Sequence, residues 1–329
     1  MSKFLDRSTK EFGMAQPYFS LMEAEQTYRT IQYARERGIL LLIKEGPRTS
    51  AGIADRMGLA KNAVERLLQV LTALGYLNRD GSIYSWSDNL VKLEEDSSLG
   101  WAHLQKFMSD GQPWVASDTS LEALDAFYTA FFSSVPYFAQ MSAPAASIAR
   151  QVGGTPKNIL DIGAGAGTWS FAMANVCEEA RVTGLDLPNV IREHFLPTAE
   201  LQGLANRVEA IEGDFHEVRI PENKFDRLVM GSSFHFLHAQ QAVRTLTRFR
   251  NSLCEGGELI IIDHFADTTA EQRISRTMYE MRLAMRTTNA KNYSAPEIER
   301  FCEESGFLKT RHFDADGPGF LSVLVFVKE

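Results

Sequence analysis

Three carboxylates and a glycine-rich stretch occupy related places in the second half of the sequence. The stretch LDIGAGAG, residues 160–167, ends an apolar run and contains three alternating glycines. Asp161 lies inside it, and Asp186 and Asp214 end the next two apolar runs. Because ligands of doubly wound sheets bind outside the carboxyl ends of the strands, we expect these acids to surround one ligand.

The chemistry of these residues suits a nucleoside. Asp186 stands where a carboxylate accepts hydrogen bonds from ribose hydroxyls, one strand after the glycines. Asp214 is followed by Phe215, so a carboxylate for the adenine amino group stands beside a ring that covers the base. The glycines permit close approach of a ligand to the backbone, and the following helix N-terminus adds unpaired N–H groups.

Two ligands that contain a nucleoside are candidates for this site, a dinucleotide such as NAD and S-adenosylmethionine. The dinucleotide fingerprint G-x-G-x-x-G requires glycine at position 168, where the sequence has Thr168. Asp161 would repel a pyrophosphate but suits a ligand that carries an ammonium and a sulfonium. The residues therefore favour S-adenosylmethionine over NAD.

The elements that position these residues alternate from about residue 155 onward. Strands alternating with helices predict an α/β, doubly wound, Rossmann-like parallel sheet that is covered on both faces. The last strand is expected to pair antiparallel at the edge of the sheet. The predicted strands are 157–163, 181–187, 207–214, 225–234, 258–265 and 320–328, and the predicted helices are 168–176, one after Pro188, and 239–253.

The N-terminal region has a different pattern, typical of a winged helix. Residues 18–44 have apolar positions at helical spacing, and two shorter helices are predicted at 50–57 and 61–74. A hairpin turning at 80–81 follows. The second short helix has little basic character and carries Glu65, which disfavours DNA binding and favours dimerisation. The predicted domains are a winged-helix dimerisation domain, a helical connector that contributes to an acceptor pocket, and a donor-binding domain, at 1–100, 101–150 and 151–329.

Composition sets limits on the class of protein. The chain has 329 residues, 44% hydrophobic and 23% charged, with a formal net charge of −8. A net negative charge disfavours nucleic acid as a partner, since phosphate affinity comes from Lys and Arg. The apolar runs are too short to span a membrane, the N-terminus has no secretory pattern, and the three cysteines suit a reduced, cytoplasmic protein.

The motifs together resemble a known family. LDIGAGAG, LDLPNVI (185–191), GDFHE (213–217), FHFL (234–237) and CEGGELIIIDHF (254–265) are similar to those of class I S-adenosylmethionine-dependent methyltransferases. The resemblance covers nearly the whole chain and is nearest to O-methyltransferases of secondary metabolism that carry an N-terminal winged-helix dimerisation domain. It implies a homodimer, no metal, S-adenosylhomocysteine as product, and a small-molecule acceptor. The predicted donor-binding residues are Asp161, Gly163, Gly165, Gly167, Asp186, Leu187, Asp214, Phe215 and Ser232.

The resemblance also implies a catalytic base. His235 matches the histidine of the family's Leu-His-Asp-Trp motif, although Phe-Leu at 236–237 replaces Asp-Trp. Asp263 matches the first of two bracing acids, and the second would fall near Asn292, where no acid is present. A general base at His235 would remove the proton of a phenolic or enolic hydroxyl, so it favours an acceptor of that kind. A sulfur, nitrogen or carbon acceptor that needs no base, and a non-catalytic regulator that binds the donor, remain alternatives.

Two segments are predicted to form the acceptor pocket. Residues 101–150 are rich in aromatic side chains at helical spacing, which suit the wall of a site for a flat ligand. Residues 268–293 contain a helix with three methionines on one stripe, and Arg282 and Arg286 there suit either an acceptor carboxylate or a solvated face. The predicted acceptor-binding residues are Phe131, Tyr137, Met141, Met278, Met281 and Met285.

Overall fold

The fold is described from a computed structural model. It describes residues 21–87, 101–134, 137–265, 273–315 and 321–329. The chain divides into two compact units, residues 1–91 and 92–329. The predicted domain boundary at residue 100 and the ends of several predicted segments (18–20, 268–272 and 320) lie outside the described residues.

The described residues of the first unit, 21–87, form four helices and a small antiparallel sheet. Its helices are α1 (21–36), α2 (Ile39–Lys44), α3 (Ser50–Met57) and α4 (Lys61–Ala73), and its strands are β1 (Arg48–Thr49), β2 (Leu77–Asp80) and β3 (Ile83–Trp86). The strands pair in the order β1-β3-β2. The continuous helical pattern of the N-terminal segment is interrupted at Gly38, whose φ of 71° ends α1 and starts α2.

Local sequence accounts for the helix–turn–helix. The Thr49 side chain accepts a hydrogen bond from the Gly52 N–H at 3.1 Å and so caps α3. Gly58 then ends α3 in the left-handed conformation. The helix α4 buries Val64, Leu68 and Leu71, which lie on one face at helical spacing.

The second unit begins with helices that precede its sheet. A 3₁₀ turn, Trp101–His103, leads into α5 (Leu104–Asp110), α6 (Leu121–Ser134) and α7 (Tyr137–Val152). Hydrogen bonds from another element hold α6 in place. The buried Asp125 carboxylate of α6 accepts from the N–H groups of Asn189 and Val190, each at 3.3 Å. Those two N–H groups belong to the first turn of the helix after the second parallel strand, where no intrahelical partner exists.

The core of the second unit is a seven-stranded sheet in the order β6-β5-β4-β7-β8-β10-β9. Among these seven strands, β10 runs in the opposite direction to the other six, so it pairs antiparallel with both β8 and β9. The strands are β4 (Asn158–Ile162), β5 (Arg181–Asp186), β6 (Val208–Glu212), β7 (Phe225–Gly231), β8 (Leu253–Asp263), β9 (Phe307–Asp314) and β10 (Ser322–Lys328). The connecting helices are α8 (Thr168–Val176), α9 (Pro188–Val190), a π-helical turn (Ile191–Phe195), α10 (Leu196–Leu201), α11 (Ala242–Ser252), α12 (Arg273–Arg286) and α13 (Ala295–Glu304).

Both faces of the central strands are buried, as expected for a parallel sheet covered by helices. On β8, Leu259 and Ile261 join the core that includes residues of α11 and α13. The alternate residues Ile260 and Ile262 join the core that includes residues of α7 and α8. The near-continuous apolar runs of the sequence therefore follow from two-sided burial rather than from a membrane-spanning role.

The antiparallel strand of the prediction is confirmed, but its place at the edge is wrong. The strand β10 lies between β8 and β9, and β9 forms the edge. The strand β9 is absent from the predicted strands, and its residues Phe307–Asp314 are mostly exposed and polar. An edge strand with one face in solvent lacks the apolar run that revealed the other strands.

Candidate active site

One cavity of about 460 Å³ lies in the second unit, at the carboxyl ends of the parallel strands. Loops after β4, β5, β6 and β7 form one end, and α6, α7 and α12 contribute the walls of the other. We call these the donor end and the acceptor end. The predicted residues in the wall are Gly163, Gly165, Asp186, Leu187, Asp214, Phe215, Ser232, Phe131, Tyr137 and Met141.

The glycine loop leaves no room for side chains at the donor end. Gly163 and Gly165 have φ angles of 69° and 53°. A Cβ at Gly163 would stand 2.7 Å from the Ser233 Cβ, and one at Gly165 would stand 2.6 Å from the Phe132 ring. Thr168, in the first turn of α8, also lines the cavity, and its buried hydroxyl has no partner among the described residues. The loop therefore offers a ligand close contact with backbone and an unused hydroxyl.

The acids after β5 and β6 are held by backbone N–H groups. The Asp186 carboxylate accepts from the N–H groups of Gly165 and Leu187, each at 2.7 Å. Asp214 accepts from the His216 N–H at 2.9 Å. Burial raises the pKa of Asp186 to about 6, against which its two backbone hydrogen bonds act. Each carboxylate oxygen has lone pairs beyond these bonds, so both acids can still accept from a ligand.

Two predicted donor-binding residues lie behind the cavity wall. Asp161 is fully buried, and its carboxylate accepts a hydrogen bond from the Ser170 hydroxyl at 2.5 Å. Its other oxygen has no partner among the described residues, and burial raises the pKa of Asp161 to about 7. Gly167 is the N-cap of α8 and is also outside the wall.

The predicted base and its brace form a buried cluster beside the cavity. His235 Nδ1 lies 3.2 Å from an Asp263 carboxylate oxygen and 3.1 Å from the Tyr279 hydroxyl. The other Asp263 oxygen accepts from the His264 N–H at 2.8 Å. Neither His235 nor Asp263 is in the cavity wall, whereas Tyr279, His264 and Phe236 are.

This cluster defines which nitrogen of His235 is available for chemistry. An ionised Asp263 places the proton on Nδ1, so the lone pair is on Nε2; this tautomer is inferred from the hydrogen bonds. Nε2 is buried and has no partner among the described residues. The arrangement is that of an imidazole oriented by a carboxylate, with its basic nitrogen unused.

Aromatic rings from α6 and α7 line the acceptor end. The ring centroids of Tyr128 and Phe131 are 5.9 Å apart, and those of Phe132 and Tyr137 are 6.1 Å apart. The Tyr137 hydroxyl lies 3.0 Å from the Ser232 hydroxyl, and burial raises the pKa of Tyr137 to about 12. Tyr137 therefore remains a neutral phenol and connects the acceptor wall to the loop after β7.

The helix α12 faces the cavity with a different stripe from the one predicted. Met285 is fully buried, Met278 is 45% exposed, and neither is in the wall, nor is Met281. The residues that line the cavity are Tyr279, Arg282 and Arg286, each one position after a methionine. The sequence leaves the role of the arginines open and gives no prediction for Tyr279 or His264, whereas Tyr128 belongs to the aromatic segment predicted to form the pocket wall. His264 had a usable signal, since it directly follows the strand-end acid Asp263.

Burial also determines the charge state of His264. Burial lowers the pKa of this imidazole to about 4, so it is neutral at pH 7. Its ring lies 4.2 Å from that of Tyr279, centroid to centroid.

Within the described ranges no group of three His, Cys, Asp or Glu side chains is arranged to hold a metal ion. No helix in those ranges combines the length and apolar character needed to cross a bilayer.

Comparisons with known proteins agree with this architecture. Residues 152–308 match the model of the O-methyltransferase domain, and residues 37–81 match that of the IclR helix-turn-helix domain. The mitomycin biosynthesis 6-O-methyltransferase of Streptomyces lavendulae is 26% identical over 310 residues, 84% of each chain. The N,N-dimethyltransferase OxyT of Streptomyces rimosus is 23% identical over 324 residues, 90% of this chain and 91% of its own. Human N-acetylserotonin methyltransferase in complex with S-adenosylmethionine shares the fold, with a TM-score of 0.67 at 17% identity, covering 94% of this chain and 97% of that one.

Proposed function

The chain is an S-adenosylmethionine-dependent methyltransferase of the O-methyltransferase type, and from that premise we propose that it methylates a phenolic or enolic hydroxyl of a small, flat acceptor. The observation that carries the proposal is a cavity that joins strand-end carboxylates at one end to aromatic walls at the other. The His235–Asp263 pair lies beside that cavity. The relatives named O-methyltransferases support the choice of oxygen as the methylated atom.

In this proposal the donor end holds S-adenosylmethionine. Asp186 accepts from the ribose hydroxyls, Asp214 accepts from the adenine amino group, and Phe215 covers the base. The loop containing Gly163 and Gly165 holds the amino-acid part, and the Thr168 hydroxyl supplies a further polar contact. When bound, S-adenosylmethionine supplies an activated methyl group on a sulfonium sulfur.

The protein's remaining contributions are positioning and proton removal. Holding two reactants at contact distance in a dry site contributes about 7–11 kcal/mol in well-oriented systems. The aromatic side chains of α6 and α7 exclude water and orient a flat acceptor. His235 Nε2 takes the hydroxyl proton, while Asp263 stabilises the imidazolium through Nδ1.

The base assignment is tested by His235→Ala. We expect kcat to fall by about 10²–10⁴-fold, because a positioned base contributes that much, while the affinity for S-adenosylhomocysteine stays unchanged. The rate is measured by product formation at saturating donor, and the affinity by calorimetry. The matched control is His312→Ala, an exposed histidine on β9 outside the cavity wall. Turnover within a few-fold of wild type would remove His235 as the base.

That outcome would favour a second candidate function. A neutral amine or thioether is nucleophilic enough to take the methyl group before any proton is removed, so it needs no general base, whereas a hydroxyl does. The similarity to a relative named as an N,N-dimethyltransferase supports this candidate, as does the replacement of Asp-Trp by Phe-Leu after His235. The two candidates separate on the product, since the methylated atom is identified directly by NMR.

The first unit is proposed to join two copies of the chain. Its match to a helix-turn-helix model leaves both dimerisation and DNA binding open. Several of its large apolar side chains are exposed, among them Leu21, Tyr28, Leu41 and Ile83. Exposed apolar surface of this kind suits a protein partner better than a phosphate backbone. A homodimer by analytical ultracentrifugation is the expected result.

A further inference from the structure

We propose that Arg282 and Arg286 form an anion subsite at the acceptor end, and that the acceptor is a hydroxyaryl carboxylate. The inference rests on the proposed methyl transfer to a hydroxyl and adds the chemical class of its acceptor. The two arginines lie one turn apart on α12, and both line the cavity.

Neither guanidinium has an anionic partner in the described part of the chain. No carboxylate oxygen of the described residues lies within 4.0 Å of either one, whereas Arg227 and Arg276 pair with Glu258 and Asp314. The Nε of Arg286 is buried and donates no hydrogen bond to any described residue. Arg227 and Arg276 thus each have an acid that balances their charge, whereas Arg282 and Arg286 have none among the described residues.

The arginines are nonetheless enclosed. The Arg282 guanidinium carbon lies 5.5 Å from the Tyr279 ring centroid. The Arg286 guanidinium carbon lies 6.0 Å and 5.9 Å from the ring centroids of Phe127 and Tyr128. Aromatic faces hold the guanidinium planes in place but leave their N–H groups free to donate.

Both side chains remain cationic in this setting. Burial, and then the charge of Arg286, lower the pKa of Arg282. Burial also acts to lower the pKa of Arg286, but the phenols of Tyr128 and Tyr279 raise it and the net direction is upward. Two like charges at i, i+4 disfavour the helix that carries them, and a partly buried charge without an anionic partner costs free energy. An anionic ligand removes both penalties.

None of the described acids around the cavity forms an ion pair with Arg282 or Arg286. Asp118 lies in the wall, but its oxygens accept from the N–H groups of Thr288, Asn289 and Ala290. Asp263 is bonded to His235 and the His264 N–H, and Asp186 to the donor loop. The cavity therefore presents two donor groups for an anion with no internal acid that satisfies them.

The chemistry of the site selects a carboxylate on a planar ring. The guanidinium fork matches a carboxylate through two parallel hydrogen bonds. The surrounding aromatic wall suits a flat aryl group, and His235 suits its hydroxyl. The donor's own carboxylate is the competing occupant, but the guanidinium groups lie over the rings of Tyr279 and Tyr128, which belong to the acceptor end.

The test uses a panel of hydroxynaphthoates and their carboxamides, which share shape but differ in charge. Binding is measured by calorimetry with the full-length protein saturated with S-adenosylhomocysteine. At least one carboxylate is expected to bind about 10- to 100-fold more tightly than its carboxamide, the range that charge-assisted bonds to arginine give. Arg286→Gln and Arg282→Gln are expected to abolish this preference and leave S-adenosylhomocysteine affinity unchanged.

Three controls keep the result interpretable. Arg286→Lys retains the charge and is expected to keep part of the preference. Arg244→Gln removes an exposed arginine on α11 and is expected to change nothing. Thermal melting of each variant verifies folding, and if Arg286→Gln does not fold, Arg282→Gln carries the test.

Two results would overturn the anion subsite. One is equal or absent binding of the carboxylates and carboxamides. The other is a loss of S-adenosylhomocysteine affinity in the arginine variants, which would assign the arginines to the donor. Methyl transfer is scored separately: neutral phenols methylated without preference would leave the proposed function standing, whereas tight carboxylate binding without O-methylation of any probe would overturn the function and keep the subsite.

Discussion

The two ends of the cavity are built on different principles. At the donor end, Asp186 and Asp214 sit in turns directly after strands, and backbone N–H groups hold their carboxylates. At the acceptor end, side chains of α6 and α7 meet side chains of α12 that lie more than a hundred positions further along the sequence, as Tyr128 and Arg286 do. The Nε of Arg286 has no hydrogen-bond partner among the described residues. The carboxylates of the donor end are thus held by the backbone before a ligand arrives, while the arginines of the acceptor end have no anionic partner among the described residues.

The difference indicates which end sets specificity. Backbone-anchored carboxylates recognise a ligand that does not change, and their geometry follows from the sheet. Side chains on helices can be exchanged without altering the sheet, so we expect the helices of the acceptor end to determine which acceptor binds. Three measurements sharpen or break this contrast.

The largest effect is expected for Asp186→Asn at the donor end. This change removes a charge that accepts from two N–H groups and, in our proposal, from the ribose. We expect the dissociation constant for S-adenosylhomocysteine to rise about 10- to 100-fold, while acceptor selectivity is unchanged. The control is Glu212→Gln, since Glu212 ends β6, pairs with Arg192 on the surface and lies outside the wall. An unchanged dissociation constant would mean that the donor end is wrongly assigned.

The affinity for S-adenosylhomocysteine is also expected to depend on pH. Asp186 accepts from hydroxyls best when ionised, and burial raises its pKa to about 6 in the free protein. Affinity is therefore present above that pH and lost as the pH falls through it, by about tenfold at pH 5. Calorimetry from pH 5 to 8 measures this, with circular dichroism to verify folding. The same slope in Asp186→Asn would assign the titration to another group.

The smallest effect is expected for Met278→Ala on α12. Met278 is exposed and outside the cavity, so the KM for the acceptor is expected to change by less than about twofold, as for surface substitutions. Met141→Ala, a matched change in the wall, is expected to raise that KM several-fold. Steady-state kinetics at saturating donor compare the two. A large effect of Met278→Ala alone would restore the methionine stripe as the acceptor-binding face.

The same contrast explains what the sequence could predict. Glycines and acids after apolar runs indicate the donor end because strand ends and helix starts are local features, and α8 spans the predicted residues Thr168–Val176. Asp161 was placed with them, yet it lies within β4, and its side chain turns toward Ser170. Residues inside a strand point alternately to either face, which the position of a motif does not reveal.

The acceptor end was less predictable for a geometric reason. Neighbouring stripes of α12 differ by one residue, about 100° of rotation, and both contain large side chains. Periodicity identified the helix but not which stripe faces the cavity, so the methionines were chosen over Tyr279, Arg282 and Arg286. Hydrophobicity favours the methionine stripe, but in the structure part of that stripe belongs to the core, since Met285 is fully buried. Only the packing of α12 against the other helices determines its rotation.

The fastening of α6 by Asp125 has a consequence for how new selectivities arise. This carboxylate joins α6 to the backbone immediately after the strand that carries Asp186, at Asn189 and Val190. This contact between α6 and main-chain atoms involves none of the aromatic side chains of the helix. Phe132 packs against Gly165 of the donor loop, but rings of α6 that do not touch that loop, such as Phe131, can change for other acceptors while Asp125 keeps the helix attached beside the donor end.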